Sequence, residues 1–415
     1  MDAGTLLTPS NHAAAYSVPN PKPATSDTLR ALTTACCGLL LATAGSYAAK
    51  AEEPRYSDGH LHTVDFFQQG APLSNLIQAM DASAVGNAMV SGIPLMKKWH
   101  EDEPKRPDTY AGDDASVYWF SATDGYLAEA VQALSPDQHE RLHPFISGFN
   151  PTDKNADLHL QRMVELYPGL WQGIGEVITR HDDLTALTEG ETPRANSEAM
   201  YRVYAFAERH RLPVLLHSNI TSKRERNPLY AGEVEAALAR YPEVNIIWAH
   251  AGTSKTLHRF QGHMPFLLPT ITRMMEAYSN LYIDLSWTVL RPYLLDEHDR
   301  PVQGWVTLVS RYPDRFVIGS DQLGKYDKMG EKLAAFEPFL HALSPEAARQ
   351  VARSNFLALL PKHGVYPDTV SRATTAASLL ASCPSASPPP DEQPTADAAE
   401  RADRQAATPP PALFL

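Results

Sequence analysis

Residues 213–250 read Pro213-Val214-Leu215-Leu216-His217, then an amphipathic stretch Gly232–Tyr241 closing on Arg240-Tyr241-Pro242, then Asn245-Ile246-Ile247-Trp248-Ala249-His250. The flanking runs are continuously apolar, as a strand buried on both faces requires. Between them Val234, Leu238 and Tyr241 recur at helical spacing, and the proline stops the helix before the next strand. The stretch is therefore one strand–helix–strand unit, and each of its strands ends on a histidine.

Working outward, the same unit recurs along the chain. Strands are predicted at Tyr56–His62, Asn87–Ile93, Pro144–Phe149, Gln172–Val177, Pro213–His217, Asn245–His250, Leu281–Leu285 and Phe316–Ser320. Helical patterns separate them at Leu73–Val85, Gly125–Leu134, Leu158–Tyr167, Ser197–His210, Gly232–Tyr241, Pro269–Tyr278, Gly304–Tyr312 and Lys328–Leu343. Leu166-Tyr167-Pro168 and Arg311-Tyr312-Pro313 repeat the helix-stop signal. Strictly alternating units predict an α/β fold, a closed parallel (β/α)8 TIM barrel. A doubly wound open sheet is the alternative, but no glycine-rich phosphate loop follows the first strand.

The chain has 415 residues, enough for one barrel of about 250 residues or more plus extensions at both ends. We expect a leader and signal peptide over residues 1–51, a catalytic domain over 52–365 and a disordered tail over 366–415. Ala31–Ala49 is a short apolar run of small residues behind Arg30, and Ala49-Lys50-Ala51 supplies a cleavage pattern. That reading implies a periplasmic or secreted protein, or a cytoplasmic one if the leader is not cleaved. The tail is rich in Ala, Ser, Thr and Pro, including Pro388-Pro389-Pro390, and buries too little apolar area to offset its ordering entropy. No apolar run reaches the roughly 20 residues of a membrane helix, so no stable membrane anchor is expected after cleavage. The net charge of −12 repels a phosphate backbone, so no nucleic-acid partner is expected; a homo-oligomer is compatible with the sequence. Cys36, Cys37 and Cys383 lie near the ends, which excludes a cysteine nucleophile, a thiolate zinc site and a core disulfide framework.

Polar residues gather where the predicted strands end. His60 and His62 end the first, in Asp58-Gly59-His60-Leu61-His62. Glu176 ends the fourth, His217 the fifth and His250 the sixth, and Asp321 follows the eighth. Strand residues alternate in direction, so His60 and His62 face one side and suit chelation of one ion. In a barrel these ends converge on the C-terminal mouth, where active sites form. Imidazoles and carboxylates without thiolates suit Zn foremost, with Mn or Fe as alternatives. For His210, His258, His263, His298 and His341 an ordinary structural role is the expectation.

These motifs resemble the amidohydrolase superfamily, specifically its amidohydrolase-related (amidohydrolase 2) branch. The resemblance covers roughly residues 54–362. It rests on Asp58-Gly59-His60-Leu61-His62, Gly175-Glu176, Leu216-His217, Trp248-Ala249-His250-Ala251-Gly252, Tyr282-Ile283-Asp284, Gly319-Ser320-Asp321 and the closing stretch Ala352–Leu360. It implies a metal-dependent hydrolase in which His60, His62 and Asp321 bind the principal ion. His217 is then its fourth ligand or, with His250, a ligand of a second ion. Glu176 is either a ligand bridging two ions or an acceptor that orients a histidine, so one or two ions per chain are expected.

The chemistry that follows is attack of an activated water on an amide, lactone or ester carbonyl of a small organic substrate. Asp321 serves as base and then acid, and His250 helps to polarise the carbonyl. A nonoxidative decarboxylase of the same branch is the alternative, and a nuclease or phosphoesterase like the TatD group is a third. Specificity is expected in the loops after the strands. The longest early loop runs from Pro94 to Asp114 and reads as a lid or a solvated insertion, with Trp99, Tyr110, Tyr118 and Lys97 or Lys98 as candidates to meet substrate. Arg224 after the fifth strand, and Trp287 with Arg291 after the seventh, complete the candidates.

Overall fold

The computed structural model describes residues 53–367 apart from residues 101, 104 and 109–112. The leader, the three cysteines, Tyr110 and the tail beyond Pro367 lie outside the described residues. Among the described residues ten strands form: β1 Tyr56–Asp58, β2 Val85–Val90, β3 Leu95–Lys97, β4 Val117–Trp119, β5 Leu142–Ile146, β6 Gly173–Ile178, β7 Val214–His217, β8 Ile246–Trp248, β9 Leu281–Asp284 and β10 Phe316–Val317. Eight of them build one sheet in the order β1-β2-β5-β6-β7-β8-β9-β10. Every pairing in it is parallel.

The first and last strands meet just beyond their regular spans. Gly59 N–H donates to Ile318 O at 2.9 Å, Asp321 N–H to His60 O at 2.8 Å, His62 N–H to Gln322 O at 2.8 Å and Gly324 N–H to His62 O at 2.9 Å. These bonds close the sheet on itself as the predicted TIM barrel. Gly319 permits the approach, because a Cβ there would lie 2.6 Å from that of His60.

Helices fill the crossovers, among them Leu73–Ala82, Ala122–Gln132, Ala156–Leu166, Glu198–His210, Ala231–Arg240, Leu267–Ala277 and Gln303–Arg311. Each predicted helix has a counterpart, with one break. The expected helix Lys328–Leu343 divides into Met329–Ala334 and Glu337–Leu340. Pro338 lacks an N–H, and its ring would clash with the carbonyl of residue 334, so the first helix ends there.

Side-chain alternation sorts the apolar runs into two cores. Val214, Leu216, Ile246 and Trp248 face the helices in the larger cluster, whereas Leu215 and Ile247 point into the barrel with Met89, Phe145 and Val317. Phe356 and Leu359, from the helix Asn355–Leu359, close the floor of this inner core. Beside Phe356, buried His143 bonds Gln172 Oε1 at 2.8 Å and Asn87 Oδ1 at 2.9 Å.

The early insertion is neither a free lid nor wholly solvated. Its base is the antiparallel hairpin β3–β4, which the sequence reading did not anticipate. Leu95 and Val117 of this hairpin pack with Phe66, Ile93, Ile178 and Leu184 above the barrel mouth.

Candidate active site

Two residues beyond inward-pointing Leu215 stands His217, so the period that fills the barrel also aims the histidine at its mouth. Glu176 needs a different device. A strict period of two from outward-facing Ile174 would turn Glu176 toward the helices. The register between β6 and β7 is irregular from Ile174 to Val177, and this irregularity swings Glu176 inward. Gly175 makes the bend with φ +129°, and a Cβ there would lie 2.3 Å from Leu215 O.

Three side chains of the site sit in left-handed backbone: His250 at φ 53°, Trp287 at 56° and Asp321 at 45°. Such residues cost about 1–2 kcal/mol each, and they concentrate where geometry serves function. This conformation ends β8 at Trp248, short of the predicted His250.

His60 Nε2 and His62 Nε2 lie 3.2 Å apart. Glu176 stands between two sets of donors. Its Oε2 is 3.2 Å from His62 Nε2 and 3.6 Å from His60 Nε2, while its Oε1 is 2.9 Å from His217 Nδ1 and 3.6 Å from His250 Nε2. Asp321 Oδ1 is 3.6 Å from His62 Nε2, and its Oδ2 is 4.0 Å from His250 Nε2. Among the described residues three groups of ligand-type atoms each lie within 4.8 Å, His60-His62-Asp321, Glu176-His217-His250 and, behind them, His60-His250-Asp284.

Every one of the four imidazoles has its other nitrogen engaged outside the cluster. His60 Nδ1 meets Asp284 Oδ2 at 2.9 Å, and His62 Nδ1 meets Ser91 Oγ at 3.1 Å. His217 Nε2 meets Asn219 Oδ1 at 3.3 Å, and His250 Nδ1 meets Ser286 Oγ at 2.9 Å. Asp284 is the hub of this outer ring, since its Oδ2 also accepts from His250 N–H at 3.1 Å and from Ser286 Oγ–H at 2.7 Å. The sequence reading quoted Asp284 but assigned it no role.

Electrostatics follow from this crowding. Burial pulls the pKa of His60 down, but the carboxylates of Glu176 and Asp284 outweigh it and raise the pKa well above the ordinary value. Burial would raise that of Glu176, yet His60 and the hydrogen bonds from His217 and His250 hold it well below the carboxylate range. Asp284 is lowered despite burial, chiefly by His60. Asp58 goes the other way, pushed up to about 6 by burial in spite of the Ser320 and His60 bonds.

The cluster floors a cavity of about 470 Å³. Phe66, Ile93, Ile178, Leu184 and Trp287 form its apolar wall, and Lys255, Lys325, Lys328 and Lys332 its cationic rim. Lys332 Nζ donates to Ser320 O at 2.7 Å and Asp321 O at 3.0 Å, clamping the turn that carries Asp321. Trp287 meets the His250 ring edge-on at 5.0 Å.

Of the expected substrate contacts Trp287 lines this cavity, and Lys97, Lys98, Trp99, Tyr118, Arg224 and Arg291 do not. Lys97 is buried, and its Nζ is bound to both oxygens of Asp113 at 2.9 Å and to Asp108 O, so the hairpin's own acid holds it. Arg224 is exposed on its loop outside the cavity lining, and Arg291 pairs with Asp299. Sequence reasoning missed His181, a buried residue of the cavity wall whose ring lies 4.6 Å from that of His217. Burial, then His217, holds its pKa well below the ordinary value. The run Arg180-His181-Asp182-Asp183 reads as a solvated loop, and no signal in it marks the histidine.

Residues 175–362 match the family model described as Amidohydrolase. No curated protein matches the sequence. Several solved structures are similar to this chain. A probable 2-pyrone-4,6-dicarboxylic acid hydrolase from Acinetobacter baumannii is 10% identical, with a TM-score of 0.46 over 74% of this chain and 98% of that one. A dihydroorotase from Campylobacter jejuni is 15% identical, with 0.43 over 74% and 82%. A 2,6-dihydroxybenzoate decarboxylase from Rhizobium is 14% identical, with 0.43 over 74% and 98%.

Proposed function

We propose, on the premise that the chain is an amidohydrolase-type barrel over the matched residues, that it is a metal-dependent hydrolase of small organic substrates. The observation that carries this reading is Glu176, which turns one oxygen to each of two ligand groups. The donor set fits a divalent cation. Two Nε2 atoms face each other at 3.2 Å while their Nδ1 atoms are engaged elsewhere, an arrangement that a shared cation satisfies. His60, His62 and Asp321 would hold one ion, and His217 and His250 a second, with Glu176 between them; Zn fits this oxygen and nitrogen set best. A bound divalent ion would bring the pKa of water to about 7 and polarise a carbonyl oxygen.

The chain's own residues supply the remainder. Asp321 projects into the cavity from a turn fixed by Lys332 and the closing bonds. It accepts the proton of the attacking water as the new C–O bond forms, and returns it to the leaving group as the C–N or C–O bond breaks. His250, held by Ser286 through Nδ1 and by Asp284 through its backbone N–H, keeps its Nε2 lone pair for the second ion and so helps to polarise the carbonyl only through that ion. The apolar wall excludes water, and the lysine rim suits a substrate that carries an anionic group away from the scissile carbonyl. That rim also favours a second reading, nonoxidative decarboxylation of an organic acid.

The test is metal analysis of purified protein together with turnover. Two ions per chain and hydrolysis of an amide, lactone or ester support the proposal. One ion with carbon dioxide release from an aromatic acid would replace it with the decarboxylase. His62→Ala is expected to lose metal and activity together.

A further inference from the structure

We infer that His181 is a catalytic hydrogen-bond donor, presenting Nε2–H to the substrate oxygen that gains charge during the reaction. The inference rests on the hydrolase reading and extends it to a residue outside the ligand set. Three contacts lock the ring. Asp183 N–H donates to His181 Nδ1 at 3.2 Å, His217 lies against one face, and Thr185 brackets the backbone. Thr185 Oγ1 accepts from His181 N–H at 3.0 Å and donates to His181 O at 2.9 Å. A nitrogen that accepts from a backbone N–H carries no proton of its own, so an imidazolium is excluded and the proton of the neutral ring sits on Nε2.

His181 is 4% exposed and lines the wall of the cavity whose floor is Glu176, His217 and His250. No hydrogen bond to its Nε2 is found among the described residues. The ring is thus a buried donor with its proton-bearing atom left over, set beside the candidate metal ligands and held in advance of any ligand. An imidazole so placed stabilises an oxyanion without reorganising and without giving up its proton, because Nδ1 stays occupied. During hydrolysis water forms its bond to the carbonyl carbon, the C=O pair moves onto oxygen beside His181, and the proton lost by water passes to Asp321. Collapse returns that pair, breaks the bond to the leaving group and delivers the proton there. His181 is unchanged throughout.

The experiment uses the full chain labelled with 15N-histidine, and His181→Phe assigns the resonances by difference. The expected result is the neutral Nε2–H tautomer in the wild type, with a shift of that nitrogen when methylphosphonate is added as a tetrahedral oxyanion probe. His181→Phe should keep its metal content, bind methylphosphonate at least tenfold more weakly and lose about 10²–10³ in kcat. His181→Gln, whose amide offers a donor at similar reach, should recover part of both. An Nδ1–H tautomer, an imidazolium, loss of metal in the variants, or an unchanged probe Kd overturns the assignment. Failure of the hydrolase reading shows separately, as wild-type protein that binds the probe yet turns over no amide, lactone or ester.

Discussion

At the floor of the barrel His143 has both ring nitrogens engaged, by Asn87 and Gln172, and Phe356 against its ring. At the mouth, four imidazoles are just as buried, but each engages only one nitrogen outside the cluster and directs the other toward shared space with Glu176 and Asp321. Burial alone therefore does not separate a structural histidine from a candidate ligand. The distinction is unspent hydrogen-bonding capacity. At the floor, burial lowers the pKa of His143 in spite of the Gln172 bond; at the mouth, carboxylates raise that of His60 in spite of burial.

This contrast is breakable by substitution. Asp321→Asn should have the largest effect, a loss of about 10³-fold or more in kcat with metal largely retained, measured by turnover and metal analysis on the same sample. If turnover survives, the mouth is no more catalytic than the floor. Asp284→Asn should lower metal affinity or activity by about 10–100-fold, read by competition with a chelator, because His60 and His250 lose the acceptor that orients them. Lys332→Met should cost about tenfold in kcat, since it frees the turn that aims Asp321. His143→Leu should leave kcat within about twofold and lower stability by about 1–3 kcal/mol in denaturant unfolding, because Asn87 and Gln172 lose their partner.

The smallest effect concerns Asp58, which is fully buried and whose Oδ1 accepts from Ser320 N–H at 2.8 Å. Its folded pKa of about 6 lies above the ordinary carboxylate value of 3.8, so the folded state binds the extra proton. That contribution to stability is complete below pH about 4 and is lost as pH rises through about 6. Asp58→Asn should flatten this part of the Tm–pH curve by a few degrees at most, and an unchanged curve would mean that Asp58 is ionised in the fold.

The barrel was legible because its grammar is local. Val214-Leu215-Leu216 and Ile246-Ile247-Trp248 state burial on both faces, and the polar residue that ends each run marks the mouth. His60, His62, His217 and Asp321 could be placed from that rule alone. Glu176 fits it only because the irregular stretch of β6 reverses its direction, which no periodicity reveals. Asp284 and Lys332 matter through partners far away in sequence, so their neighbours in the chain say nothing of them. Lys97 misled because a cation in a charged loop reads as solvent-facing until Asp113, 16 residues on, folds back over it.

The seam between β1 and the turn after β10 has a consequence for how the molecule comes into being. The segment just after β1 that contributes His60 and His62 is also the one whose carbonyls and amides zip the cylinder shut against Asp321, Gln322 and Gly324. Residues more than 250 positions apart must therefore meet before either the ring of strands or the His60-His62-Asp321 group exists, a slow encounter for a chain of this topology. Completion of the His60-His62-Asp321 group and closure of the barrel become a single event, whereas Glu176, His217 and His250 lie on or just after the neighbouring strands β6, β7 and β8 and need no seam.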